Sequence, residues 1–310
     1  MTSFNASSCH SLHGSIKVPG DKSISHRSIM LGSIANGVTN VSGFLEGEDS
    51  FATLKAFQLM GVQIDRTGSN VAIHGVGKYG LKSPSEPLDL GNSGTSIRLM
   101  SGLLSAQSFN SQLCGDESLS KRPMDRVINP LSMMGAVIDS YESKPPLSIT
   151  GNQKLSAINY TLPVASAQIK SCLLLAGLYA EGETFIIENS TTRDHTERML
   201  RGFGYPVHSS NGQISLMGGG ELNACDIEVP SDISSAAFFI VAASIAKDAD
   251  ITLKAVNINP TRTGILDILD MMGANITLTD KRVVAGELVA DIRVCSAELH
   301  GINIPRELVP

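Results

Sequence analysis

Four segments of the chain end an amphipathic helix in the same way: "AFQLMGVQI" (56–64), "NPLSMMGAVI" (129–138), "ERMLRGFGYPV" (197–207) and "ILDMMGANI" (268–276). Each places apolar residues at helical spacing, then a glycine, then a short strand-like exit. The glycines are Gly61, Gly135, Gly204 and Gly273, separated by 74, 69 and 69 residues. A glycine just past the last helical turn suits the left-handed C′ position. Four such endings at near-equal spacing define an internal repeat, and its length exceeds any common solenoid unit.

A second helix recurs earlier in each repeat: "KSISHRSIMLGSIANG" (22–37), "SGTSIRLMSGLLSAQ" (93–107), "SAQIKSCLLLAGLYAEG" (166–182) and "SDISSAAFFIVAASIAKDA" (231–249). Ser, Thr or Asp stands at or near each start, as an N-cap requires. Three follow a strand-like Val18-Pro19, Leu162-Pro163 or Val229-Pro230. Short β-branched segments lie between the helices, among them "VTNVSGF" (38–44), "TFIIEN" (184–189) and "DITLKAV" (250–256). The repeat therefore reads strand–helix–strand–helix–strands, an α/β module. The opening helices are apolar nearly all round, which predicts that they lie buried in the middle of a domain.

Length and charge narrow the function. A chain of 310 residues suggests about two domains. The net charge of −6 and the 5% aromatic content, with no Trp, argue against a basic, base-stacking nucleic-acid surface. The longest apolar run, Ala236 to Ala243, is far short of the roughly 20 residues that span a bilayer. No hydrophobic segment near the start resembles a signal peptide. Five scattered cysteines (Cys9, Cys114, Cys172, Cys225, Cys295) lack C-x-x-C spacing. They point to free thiols in a reducing compartment, so the expected location is the cytoplasm. His10 and His13 alone, with no further ligands nearby, do not make a metal site.

Cations gather where the opening helices begin. Lys22 and Arg27 flank the first start, Arg98 lies in the second and Lys170 in the third. Outside these helices come "SLSKRPMDR", with Lys121, Arg122 and Arg126, and "TTRDHTER", with Arg193 and Arg198. A helix N-terminus already carries partial positive charge, so cations there need an anion to join them. Ser23 and Arg27, four apart, share a helix face and can grip one group. Taken alone, Arg98, Lys170 and Arg126 read more plainly as solvated or paired with Asp or Glu. "GNSGTSIR" is a turn into a helix that does not match the Walker pattern. Residue by residue, the chain reads as an α/β repeat protein that binds a small polyanion through several cationic helix starts.

Six stretches, taken together, resemble the enolpyruvyl transferase family: "VPGDKSISHR" (18–27), "LDLGNSGTSIRL" (88–99), "GDESLSKRPMDRVINPL" (115–131), "LPVASAQIKSCLLLAGL" (162–178), "RDHTERML" (193–200) and "VPSDISSAAFFIVAA" (229–243). They follow the family's order along nearly the whole chain. The resemblance implies a two-domain inverse α/β repeat fold of βαβαββ units with buried parallel helices. It places a complete domain at 21–229. A second domain, 1–20 plus 230–310, is incomplete by the family's pattern. It also implies enolpyruvyl transfer from phosphoenolpyruvate to the 5-hydroxyl of shikimate 3-phosphate, with loss of phosphate by addition and elimination, on the way to aromatic amino acids. No metal or organic cofactor is implied, and no nucleic acid or membrane partner.

By the family's pattern Lys22 touches both substrates and is the catalytic residue within this chain. Ser23, Arg27, Ser166, Ala167, Gln168 and Arg193 join it around shikimate 3-phosphate. Gly94, Arg122 and Gln168 join it around phosphoenolpyruvate, the site that the herbicide glyphosate occupies in this family. The family's general-base Asp and its acid Glu are expected beyond Pro310. The chain ends "GINIPRELVP", with Val309-Pro310 where a strand would hand over to a fifth capped helix. The expectation is thus a fragment, inactive alone, otherwise monomeric or paired with its own missing C-terminal segment. Two alternatives differ in chemistry. One is transfer to UDP-N-acetylglucosamine, whose enzyme commonly carries a reactive Cys at the place held here by Glu117, with Cys114 three residues earlier. The other is a non-catalytic fragment that binds a phosphorylated ligand.

Overall fold

The computed structural model describes residues 11–305 and Leu308; Cys9, His10, Val309 and Pro310, named above, lie outside them. The chain opens with β1 (Leu12–Ile16). A first repeat follows, with α1 (Lys22–Ile34), β2 (Asn36–Ser42), α2 (Glu48–Leu59), β3 (Gln63–Thr67) and β4 (Asn70–Val76). The second has β5 (Leu88–Asp89), α3 (Gly94–Leu104), β6 (Ser111–Cys114), α4 (Asp125–Met133), β7 (Val137–Tyr141) and β8 (Lys144–Thr150). The third has β9 (Asn159–Thr161), α5 (Ala167–Gly177), β10 (Glu183–Ile187), α6 (His195–Gly202), β11 (His208–Ser210) and β12 (Gln213–Met217). Then come β13 (Ile227–Glu228), α7 (Ile233–Ile245), β14 (Ala249–Asn257), α8 (Gly264–Met271), β15 (Asn275–Val284) and β16 (Glu287–Cys295).

The four-stranded sheets share one order, first–second–fourth–third: β13-β2-β4-β3, β5-β6-β8-β7, β9-β10-β12-β11 and β1-β14-β16-β15. In each, the first pair is parallel and the rest antiparallel. A parallel pair needs a crossover, and the opening helix supplies it in the second and third repeats. Lys22–Val229 form one compact unit, with three of the sheets. The described residues up to Asp21 and from Pro230 onward form the other, with the fourth.

The repeat glycines do what their position demands. Gly61, Gly135, Gly204 and Gly273 have φ of 86°, 100°, 78° and 87°, the left-handed geometry that ends a helix. The opening helices stop short of the stretches read from sequence, at Ile34, Leu104, Gly177 and Ile245. In three of the repeats a positive-φ residue turns the chain out soon after: Gly37, Gly182 and Asp248. The apolar bodies of α1, α3 and α5 form much of the core of the larger unit. Every residue of α1 from Ile24 to Ile34 is buried, as is every residue of α5 from Ile169 to Gly177.

α7 departs from that expectation. Only Ile233, Ala236, Ile240, Ala243 and Ser244 are buried, while Phe238 is 79% and Ile245 67% exposed. The helix packs on β14 and β16. Full burial in the larger unit comes from three opening helices packing on one another; among the described residues the smaller unit has one.

Candidate active site

Contacts near the starts of α1, α3 and α5 bring the three helix starts together. His26 Nδ1 of α1 lies 2.8 Å from Thr53 Oγ1 of α2 and 3.2 Å from Ser96 Oγ of α3. Gln168 Nε2 of α5 donates to Thr95 Oγ1 of α3 at 3.1 Å. Arg27 Nη2 of α1 donates to Ser171 Oγ of α5 at 2.8 Å. Residues in the first two turns thus meet one another. Ser93 and Ser166 cap two of the helices, their hydroxyls accepting from Ser96 N at 3.1 Å and Ile169 N at 3.4 Å. Three N-termini brought together sum to a region of positive potential.

The cations at that end are held, each in its own way. Arg27 is buried, with Nε donating to Thr196 Oγ1 at 2.6 Å and Nη1 to Ser23 O at 2.9 Å. The Thr196 hydroxyl in turn donates to Ser171 Oγ at 2.7 Å, so α1, α5 and α6 fix one guanidinium together. Arg98 Nη1 donates to Gly94 O at 3.0 Å and to Gln168 Oε1 at 3.1 Å. With Thr95 on the other side, this fixes both ends of the Gln168 amide. Arg122 Nη2 donates to Asn92 Oδ1, and the Asn92 Nδ2 donates to Asp116 Oδ2 at 2.8 Å. Asp116 is itself anchored by Leu119 N at 2.8 Å, and these hydrogen bonds hold its carboxyl below the usual carboxylate range. Lys22 pairs with Asp49 in the first turn of α2.

Gly94 is the point where two of these cations close in. A Cβ there would stand 2.7 Å from Arg98 Nη1 and 2.8 Å from Arg122 Nη1. The absence of a side chain therefore opens the space in front of two guanidiniums. Burial, and then the fields of Arg122 and Arg126, push Arg98 below its ordinary value. Cations crowded this way favour an anion between them.

Of the residues expected from sequence, Gly94, Arg98, Arg122 and Gln168 meet directly, and Arg27 is joined to α5 beside them. Ser166 and Ala167 form the start of α5, and Lys22 and Ser23 that of α1. Arg193 is exposed in the loop after β10. Lys170 takes the plainer reading: its side chain is 1% exposed, with the ammonium between Glu188 and Glu197. Sequence reasoning missed the groups that aim the cations, namely Ser171, Thr196, Asn92, Asp116 and Asp49. Partners 24 to 169 residues apart leave no periodic trace. Cys114 is half-buried on β6, and burial, then Asp89, raises its thiol, so it is a poor nucleophile.

A repeat of this topology, with cations gathered where three buried helices begin, makes an anion-binding site of the α/β class. Residues 7–306 match the family described as EPSP synthase (3-phosphoshikimate 1-carboxyvinyltransferase). A 3-phosphoshikimate 1-carboxyvinyltransferase of Ruthia magnifica subsp. Calyptogena magnifica is 66% identical over 309 residues, covering 100% of this chain and 71% of that protein. One from Hydrogenovibrio crunogenus is 63% identical, covering 96% and 69%. The solved EPSP synthase of Acinetobacter baumannii superposes with a TM-score of 0.90 at 58% identity, covering 96% of this chain and 67% of that one. The chain belongs to the EPSP synthase family.

Proposed function

We propose that the larger unit provides a binding wall for shikimate 3-phosphate and phosphoenolpyruvate, in transfer of the enolpyruvyl group to the shikimate 5-hydroxyl. The observation that carries this is the cluster of helix starts whose first two turns bear Lys22, Arg27, Arg98 and Gln168, with Arg122 beside Gly94, in a chain of this family. Arg27 and Ser23 take the shikimate carboxylate. The Ser166 and Ala167 turn takes its phosphate, with Arg193 alongside. Arg122 and the open face of Gly94 take phosphoenolpyruvate, and Gln168 lies between the ligands. Lys22 exchanges Asp49 for the substrates. The hydroxyl adds to C2 of the enolpyruvyl group as C3 gains a proton, and the tetrahedral intermediate then loses phosphate. Guanidiniums already anchored by Ser171, Thr196 and Asn92 need little reorganisation as charge shifts. The four described cysteines are all free, which suits a cytosolic setting.

Calorimetric titration tests the reading. Shikimate 3-phosphate is expected to bind, and Arg27→Ala to weaken it by about 10–100-fold, the value of charge-assisted hydrogen bonds. Binding of UDP-N-acetylglucosamine in its place would overturn the assignment. Gly94→Ala pushes against the far ends of two flexible side chains, so the fold should hold. Phosphoenolpyruvate affinity, measured with shikimate 3-phosphate present, should fall about tenfold as the guanidiniums retreat, a change of roughly 1.4 kcal/mol. An unchanged affinity would place phosphoenolpyruvate elsewhere.

A further inference from the structure

The Lys170 cluster lies just behind the anion site, in the first turn of α5, and it does more than neutralise itself. Lys170 Nζ is 2.8 Å from Glu197 Oε1 and 3.1 Å from Glu188 Oε2, and all three side chains are at most 6% exposed. Replacing such a group by apolar residues is often neutral or stabilising, so stability alone is a weak reason to keep it. The Lys170–Glu188 pair is instead turned on one loop residue. Glu188 Oε2 accepts from Thr192 Oγ1 at 2.7 Å and from Thr192 N at 3.3 Å. Lys170 Nζ donates to Thr192 O at 3.3 Å. The amide, hydroxyl and carbonyl of a single residue are thus all gripped by one buried ion pair. The next residue is Arg193.

We infer that Glu188, backed by Lys170, is a positioning residue that locks Thr192 and so presents Arg193 beside the start of α5. This rests on the proposed binding of shikimate 3-phosphate there. The physical content is entropic. Fixing one residue's backbone costs about 1–2 kcal/mol, and a loop ordered before the ligand arrives does not charge that cost against binding. Glu197, on α6, faces Lys170 as a second carboxylate and completes the ammonium's surroundings.

Thr192→Val tests this, because it deletes the hydroxyl donor at a half-buried position with little change of shape. In the ligand-free chain, hydrogen exchange at Thr192 to Asp194 should speed up about tenfold, with the α5 amides unchanged. Shikimate 3-phosphate affinity should fall about five- to thirtyfold, the worth of one ordered residue. Thr192→Ser should restore both. In an Arg193→Ala background, Thr192→Val should cost nothing further. Equal losses with and without Arg193, or unchanged exchange in the loop, would overturn the inference. Should the unaltered chain fail to bind shikimate 3-phosphate, the functional reading fails, and the exchange data still decide whether Thr192 is locked.

Discussion

Replacing Lys170 with methionine is expected to lower the unfolding free energy by about 3–5 kcal/mol, the cost of stranding a buried charge without its partner. That is a large part of the ~5–15 kcal/mol that holds a typical domain folded. Methionine fills nearly the same space, so the loss is electrostatic. Glu188 and Glu197 would keep their burial and lose the one cation between them, and Thr192 O would lose a donor. The pH dependence follows from Glu197. Burial already raises its carboxyl, against the pull of Lys170. Without the ammonium it rises further, so the folded state binds a proton that the unfolded chain releases. Stability then falls as pH climbs above the ordinary carboxyl range and recovers as pH drops into it. Urea unfolding at about pH 5 and about pH 8 reads both effects, and the deficit should be larger at the higher pH. A variant within ~1 kcal/mol of the parent at both would mean that water solvates the cluster.

Gly102→Ala sets two effects of opposite sign against each other. Alanine is the better helix former by about 1 kcal/mol, and Gly102 sits in the interior of α3. A Cβ at this position, however, would lie 2.1 Å from the Cys172 carbonyl oxygen and 2.9 Å from its carbon. Both atoms belong to the backbone of α5 and cannot swing aside. Overpacking of this kind costs typically ~1–3 kcal/mol and more when backbone must move, so the steric term wins and a net loss of about 2 kcal/mol or more is expected. Gly202, in the last turn of α6, has no atom beyond its own stretch of helix within 4 Å of the place a methyl group would take and provides the control. There alanine should stabilise by about 0.5–1 kcal/mol. Denaturant midpoints of the two variants should move in opposite directions, and a stabilised Gly102→Ala would show that α3 and α5 part easily.

Much of the architecture was legible because it repeats. A helix must shed its orphan carbonyls somewhere, and Gly61, Gly135, Gly204 and Gly273 mark where, each with the positive φ its place requires. The apolar bodies of α1, α3 and α5 announced their burial for the same local reason. A second series of glycines left no such mark. Gly75 stands where a Cβ would come 2.2 Å from Ala35 O, and Gly218 where it would come 1.9 Å from Ala180 O. These are matching places in two repeats, where a last strand presses on the end of an opening helix. No turn signal flags them, since their demand comes from a neighbour and not from φ.

The site divides along the same line. Sequence alone determined which residues carry charge and that they stand at helix starts, because capping and helical period act within a few residues of each other. Tertiary structure decided how each charge is used. Arg27 and Lys170 look alike in the sequence, cations in the first two turns of apolar helices. One is aimed by the hydroxyls of Ser171 and Thr196; the other is shut between Glu188 and Glu197. Those partners are set by how α5 and α6 pack, and electrostatic energy depends on distances that only the packed chain fixes.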